Sequence, residues 1–193
     1  DGMIEIIHAH DGMIDKFIGD NVMAVWGFAQ AEGATKLGQR KSPHHNGVHR
    51  LSDSGKTDSL PALYYTADEK MNDAVKALDC AIAMIDAAQK YSFRGQPIRI
   101  GIGLNYGTVF CGNVGNDRKR QFTVLGHPVN LASRFESLTK ELNVPIIVGE
   151  SFYQQLPPER RCQFEVHRNV KVRGIDAVTC YGYVKAGEAV ASP

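Results

Sequence analysis

Residues 12–27, GMIDKFIGDNVMAVWG, constrain the fold more than any other stretch, because two apolar runs, Met13 to Ile18 and Val22 to Trp26, flank Gly19-Asp20. Two turn-forming residues between such runs specify a β-hairpin, which commits its strands to antiparallel pairing. Further on, Thr66-x-x-Glu69 reads as a capping box, and Met71, Val75, Leu78, Ile82 and Ile85 recur at helical spacing through about Gln89. Ile98, Ile100, Ile102 and Leu104 then alternate with Arg99, Gly101 and Gly103 as in a strand, followed by a Gly-rich stretch from 107 to 115 and a short strand over 121–125. After Gly126, His127 can cap and Pro128 can open a helix whose stripe is Leu131, Phe135, Leu138 and Leu142. Strands over 145–148, 162–172 and 178–184 complete the reading. Hairpins mixed with two long helices predict an α+β sandwich, a mainly antiparallel sheet with helices packed on one face, rather than a doubly wound parallel sheet.

The 193 residues suit a single domain spanning 1–193. Within it, residues 30–59 turn to Gly, Ser, Lys, Arg and His with few large apolar side chains, which predicts a flexible surface insertion. His44, His45 and His49 lie in that insertion at irregular spacing, as in a solvated loop rather than a metal site. Lys and Arg number 22 against 21 Asp and Glu, so the basic excess of a nucleic-acid binder is missing and no nucleic-acid partner is expected. No apolar run approaches the roughly 18 residues of a membrane span, so no membrane contact by this segment is expected. Cys80, Cys111, Cys162 and Cys180 are far apart with no C-x-x-C pair. Reduced, mostly buried thiols and a cytoplasmic location, or the cytoplasmic face of a membrane protein, follow from that usage. At the start, Asp1-Gly2 precedes Met3, Ile6, Ile7 and His10, a pattern that reads as the end of a helix and suggests a fragment.

Three constellations carry polar chemistry. In Asp15-Lys16-Phe17-Ile18-Gly19-Asp20, strand alternation puts Lys16 on the face opposite Asp15 and Phe17, and Asp20 sits at a tight turn where a carboxylate can meet a hard cation. The same residues also suit an ordinary hairpin with a solvated Lys and a turn-favouring Asp. Asn130 and Arg134 are four apart and share a helix face, fit either for a ribose and a phosphate or for plain solvation. Lys171-Val172-Arg173-Gly174 ends a strand with basic side chains, suited to phosphates or to a charged edge. The Gly-rich GIGLNYG over 101–107 does not read as a dinucleotide fingerprint, because its glycines are spaced G-x-G-x-x-x-G.

Taken in order, the strings DKFIGDNVMAVWG, IRIGIGLNYGTVFCGNVG, QFTVLGHPVNLASRFESLTK and KVRG resemble the catalytic domain of class III nucleotide cyclases, the adenylate and guanylate cyclases. The resemblance runs from about residue 3 to 184 and implies a ferredoxin-like α+β fold. It implies that Asp20 is a ligand of two divalent cations, Mg²⁺ or Mn²⁺, and that Lys16 and Thr123 read the purine. Lys16 can donate to adenine N1 and Thr123 can accept from the exocyclic amine, so ATP is favoured as substrate; guanylate cyclases usually carry Glu where Lys16 stands. Asn130 would orient the ribose, Arg134 would stabilise charge on the α-phosphate, and Arg173, where Lys is more usual, would grip the terminal phosphates.

The implied reaction is attack of the ribose 3′-oxygen on the α-phosphorus, giving 3′,5′-cyclic AMP and pyrophosphate at sites shared across a homodimer. A sensor domain upstream is implied as well. Family members carry an earlier strand with a further metal-binding Asp, and residues 1–11 do not match it. A chain truncated before that strand is expected to be weakly active or inactive. The rival readings are a guanylate cyclase acting on GTP and a non-catalytic cyclase-homology module that binds nucleotide or dimerises.

Overall fold

The computed structural model describes residues 2–27, 67–116, 119–172 and 174–184. The insertion expected over 30–59 lies outside the described residues. Helix α1 (Gly2–Ala9) buries Ile7, and the chain then reverses through Asp11, whose φ is 59°, into the hairpin of β1 (Met13–Ile18) and β2 (Asn21–Val25). Gly19, at φ 63°, makes the hairpin turn. Trp26 ties the hairpin back to α1, its indole Nε1 donating to the His10 carbonyl at 2.8 Å. Gly12 passes so close beneath that ring that an added Cβ would stand 2.6 Å from Trp26 Cζ2.

Helix α2 (Ala67–Ala88) follows, then a two-residue ladder between β3 (Ser92–Phe93) and β4 (Gln96–Pro97), and β5 (Ile102–Leu104). A second hairpin, β6 (Phe110–Asn116) with β7 (Lys119–Leu125), leads through Gly126 into α3 (His127–Leu142). β8 (Ile146–Gly149), the short helices α4 (Glu150–Tyr153) and α5 (Pro158–Arg161), β9 (Phe164–Val172) and β10 (Ile175–Tyr183) complete the described chain. The largest sheet runs β5-β8-β10-β9, with β5 and β8 parallel and the other pairs antiparallel.

The α+β class read from the sequence is the class observed, with a division of the helices between two faces. Strand β8 shows why: all four of its residues are buried. Because side chains alternate along a strand, Ile146 and Val148 join Ala74, Ala77, Leu78 and Ala81 of α2, whereas Ile147 joins Phe135 and Leu138 of α3. A strand covered on both sides reads as a continuous apolar run, as this one does.

The glycines of β5 and its lead-in set how closely α3 approaches. A Cβ on Gly103 would lie 2.1 Å from the Ala132 carbonyl oxygen and 2.4 Å from the Glu136 nitrogen, and one on Gly101 would lie 2.0 Å from Thr139 Oγ1. Both strike the helix that carries Asn130 and Arg134, and at Gly103 the obstacles are backbone atoms that cannot rotate away. Gly103→Ala is therefore expected to cost about 3 kcal/mol, the upper end of ordinary overpacking, read as a lower urea midpoint with an unchanged slope.

Several elements differ in detail from the sequence reading. The strand expected over 98–104 is confined to Ile102–Leu104, and the Gly-rich stretch forms β6, paired along its length with β7. Gly126, at φ 155°, occupies the cap of α3 without a side-chain hydrogen bond, so His127 is the first helical residue rather than the cap. The four cysteines are free; Cys80, Cys111 and Cys180 are buried and Cys162 is exposed.

Candidate active site

Strand β1 lies against β7, and this contact builds the centre of the site. Thr123 faces inward from β7 opposite Gly112 and is 5% exposed. Gly112 carries no side chain, and the Phe110 ring lies beside it, its Cζ 3.2 Å from where a Cβ would stand. Lys16 reaches across from β1, its Nζ donating to Thr123 Oγ1. The two residues expected to read a purine, far apart in sequence, are thus brought into direct contact.

Asp15 joins them, against the alternation expected for a regular strand. The β1–β2 register shifts between Ile14 and Lys16, so Asp15 is the extra residue of a β-bulge. A bulge leaves one residue unpaired and re-aims its side chain. Here it sets Asp15 on the same neighbour as Lys16: Thr123 Oγ1 donates to Asp15 Oδ2 at 3.1 Å, and Lys16 Nζ stands 3.3 Å from the same oxygen. The Asp15 side chain is 1% exposed and that of Lys16 is 24% exposed, so the lysine reaches solvent and the carboxylate does not. Cys111 is buried alongside, and burial, with a smaller contribution from the Asp15 charge, pushes its thiol up to about 11. It is a packing residue rather than a nucleophile at neutral pH.

Helix α3 presents the second group. Asn130 is exposed in its first turn, while Arg134, one turn on, is half-buried. Arg134 Nη1 is buried and finds no hydrogen-bond partner among the described residues. Its guanidinium lies by the β9–β10 turn, where a Cβ on Gly174 would stand 3.8 Å from Arg134 Nη2. Gly174, at φ 71°, makes that turn. The strings NLASR and KVRG therefore meet in space, although Arg173 itself lies outside the described residues. A buried guanidinium nitrogen without a partner among the described residues is a costly feature for a fold to carry and a ready one for a phosphate to meet.

Asp20 stands apart. It is exposed at the β1–β2 turn, at the far end of the hairpin from the Asp15 bulge. Among the described residues no group of three His, Cys, Asp or Glu is placed to hold a metal ion. Asp20 thus offers one hard oxygen donor and not a complete ligand set. No helix among the described residues is long and apolar enough to cross a membrane.

Comparison with known proteins places the chain in a family. An adenylate cyclase of Anabaena cylindrica is 33% identical over 180 residues, covering 91% of this chain and 28% of that protein. The chain therefore spans under a third of that relative's length. The solved adenylyl cyclase CyaB from P. aeruginosa superposes with a TM-score of 0.58 at 21% identity, over 97% of this chain and 79% of that one. The guanylate cyclase domain of RhGC from Catenaria anguillulae, solved in complex with GTP, gives 0.61 at 19% identity, over 95% and 78%. Identities this low show the fold and leave the nucleotide open. The family model for the adenylate and guanylate cyclase catalytic domain matches residues 3–185, almost the whole of the described hairpins, helices and sheet, and this chain belongs to that family.

Proposed function

We propose that this domain is an adenylate cyclase, converting ATP to 3′,5′-cyclic AMP and pyrophosphate. The observation that carries the reading is the Lys16–Thr123 contact, which sets a cationic donor against a part-buried hydroxyl. Adenine offers an acceptor at N1 and a donor at its 6-amino group, the complement of that pair; guanine offers the reverse at those positions. In the buried part of the site, a mismatched base leaves Thr123 or Lys16 unpaired, costing about 1–3 kcal/mol per group.

With the base held there, Asn130 on the exposed first turn of α3 orients the ribose so that its 3′-oxygen faces the α-phosphorus. That oxygen attacks in line as its hydroxyl proton passes to water, the bond from the α-phosphorus to the bridging oxygen breaks, and pyrophosphate leaves with the electron pair. The unpartnered face of Arg134 meets the negative charge that grows on the α-phosphate, and Arg173 holds the terminal phosphates. Such charge stabilisation from a preorganised group is the main resource in phosphoryl transfer. Cyclases of this class use divalent cations, and Asp20 would supply one carboxylate to Mg²⁺ or Mn²⁺, which neutralises phosphate charge when bound. Asp20 lies away from the purine pair on the same hairpin, which supports a homodimer in which Asp20 of one chain serves the nucleotide read by Lys16, Thr123, Asn130 and Arg134 of the other.

Exchanging the purine pair tests the reading. Lys16→Glu combined with Thr123→Cys replaces the donor with an acceptor and removes the strong acceptor, and is expected to shift preference from ATP towards GTP by at least about tenfold in kcat/KM, at reduced absolute rate. An unchanged ATP:GTP ratio in a folded double variant would show that these residues do not touch the base.

A further inference from the structure

Asp15 has no role in the mechanism above, yet its carboxylate is enclosed and only partly satisfied. Its Oδ2 takes the Thr123 hydroxyl and the Lys16 ammonium, while Oδ1 is buried and without a hydrogen-bond partner among the described residues. A buried carboxylate with an idle oxygen is an expense that folding alone does not reward. The bulge that delivers it adds a further departure from a regular strand.

The chemistry of the threonine hydroxyl shows what this arrangement achieves. A hydroxyl has one proton and two lone pairs, and left to rotate it can meet a base either as donor or as acceptor. Lys16 Nζ donates into one lone pair, and the proton is drawn to Asp15, a group that only accepts. What remains on Thr123 is one lone pair, which can only accept. Lys16 carries three donors, two of which point to Thr123 and Asp15, so one is left for the base.

We infer that Asp15 is a specificity-determining positioning residue: by holding the Thr123 proton it obliges that hydroxyl to face the base as an acceptor, and so selects a 6-amino purine nucleotide over a 6-oxo one. This deepens the reading of the Lys16–Thr123 pair as the base-reading contact and rests on it. Without Asp15 the hydroxyl rotates and donates to a 6-oxo group as readily as it accepts from a 6-amino group, so Thr123 stops discriminating and only the Lys16 donor still favours adenine N1. Lys16 keeps its donor in either case, so nucleotide binding as such survives.

The test compares kcat/KM for ATP and GTP in the full chain and its variants. Asp15→Ala, or the bulkier acceptor-free Asp15→Leu, is expected to lower the ATP:GTP ratio by at least about tenfold, with GTP turnover unchanged or raised. Asp15→Asn keeps a carbonyl oxygen that can accept the Thr123 proton, and the adjacent Lys16 charge favours turning that oxygen inward, so it should retain most of the ratio. In a Thr123→Val background, where there is no proton to hold, Asp15→Ala should leave the ratio nearly unchanged. A merely structural role would lower both nucleotides together and would not depend on the Thr123 hydroxyl.

Each contrary result has its own meaning. A wild-type chain that does not distinguish ATP from GTP defeats the base-reading pair itself. A discriminating wild type whose Asp15→Ala or Asp15→Leu variant keeps its ratio overturns the role of Asp15 alone. Loss of the ratio in Asp15→Asn equal to that in Asp15→Ala would show that charge, not proton acceptance, matters, and would also overturn it. If every acceptor-free replacement unfolds, Asp15 is a fold-holding residue and the inference fails.

Discussion

Replacing Arg134 with alanine is expected to lower kcat by about 100- to 1,000-fold, the usual effect of removing one preorganised group aimed at transition-state charge. The fall should appear in kcat more than in KM, because the contact strengthens only as charge develops on the α-phosphate. Stability should hardly move. Arg134 Nη1 is buried with no partner among the described residues, so the fold gains no hydrogen bond there that truncation could remove. Unfolding midpoints measured beside the kinetics separate the two effects. A folded Arg134→Ala chain with a near-normal kcat would remove Arg134 from the chemistry.

Asp20→Ala is expected to reduce turnover at least as severely, since in the proposed mechanism it deletes a carboxylate offered to the cation, while an exposed turn residue contributes little to folding. The informative experiment mixes the two inactive chains. In a heterodimer of Asp20→Ala with Arg134→Ala, one site collects both defects and the other receives neither. Random exchange then restores about a quarter of wild-type activity, because half of the dimers are mixed and each has one intact site. Complementation is read as cyclic nucleotide formed per unit of total protein. No recovery, with subunit exchange shown independently, would place Asp20 and Arg134 in the same site of one chain.

How much of this was legible in the sequence depends on the range of the interaction concerned. The β1–β2 hairpin and the helices α2 and α3 are announced by local periodicity and by Gly19, and the structure bears them out within a residue or two of their read boundaries. β6 was hidden because Gly112 and Gly115 carry no side chains to alternate, and its pairing with β7 is a relation between strands rather than a pattern within one. The burial of β8 from both sides was concealed for the same reason: a four-residue apolar run does not say what covers it.

At the site, family resemblance pointed to Lys16 and Thr123, and the packing of β1 on β7 supplies the physical reason for pairing them. Asp15 was misplaced on the opposite face, because strict alternation assumes an unbroken ladder and the bulge between Ile14 and Lys16 leaves no mark in the residues themselves. Gly101 and Gly103 read only as alternating positions of a strand. Their service as the floor on which α3 rests became visible only once helix backbone was found within van der Waals range.

The most direct test of the adenylate cyclase reading supplies the full chain with equimolar ATP and GTP, with Mg²⁺ and separately with Mn²⁺, and quantifies both cyclic products by mass. If Lys16 and Thr123 read adenine, cyclic AMP should exceed cyclic GMP by at least about tenfold in both metals, the discrimination expected when a site built to hydrogen-bond one base is offered another. Cyclic GMP in equal or greater amount would contradict it.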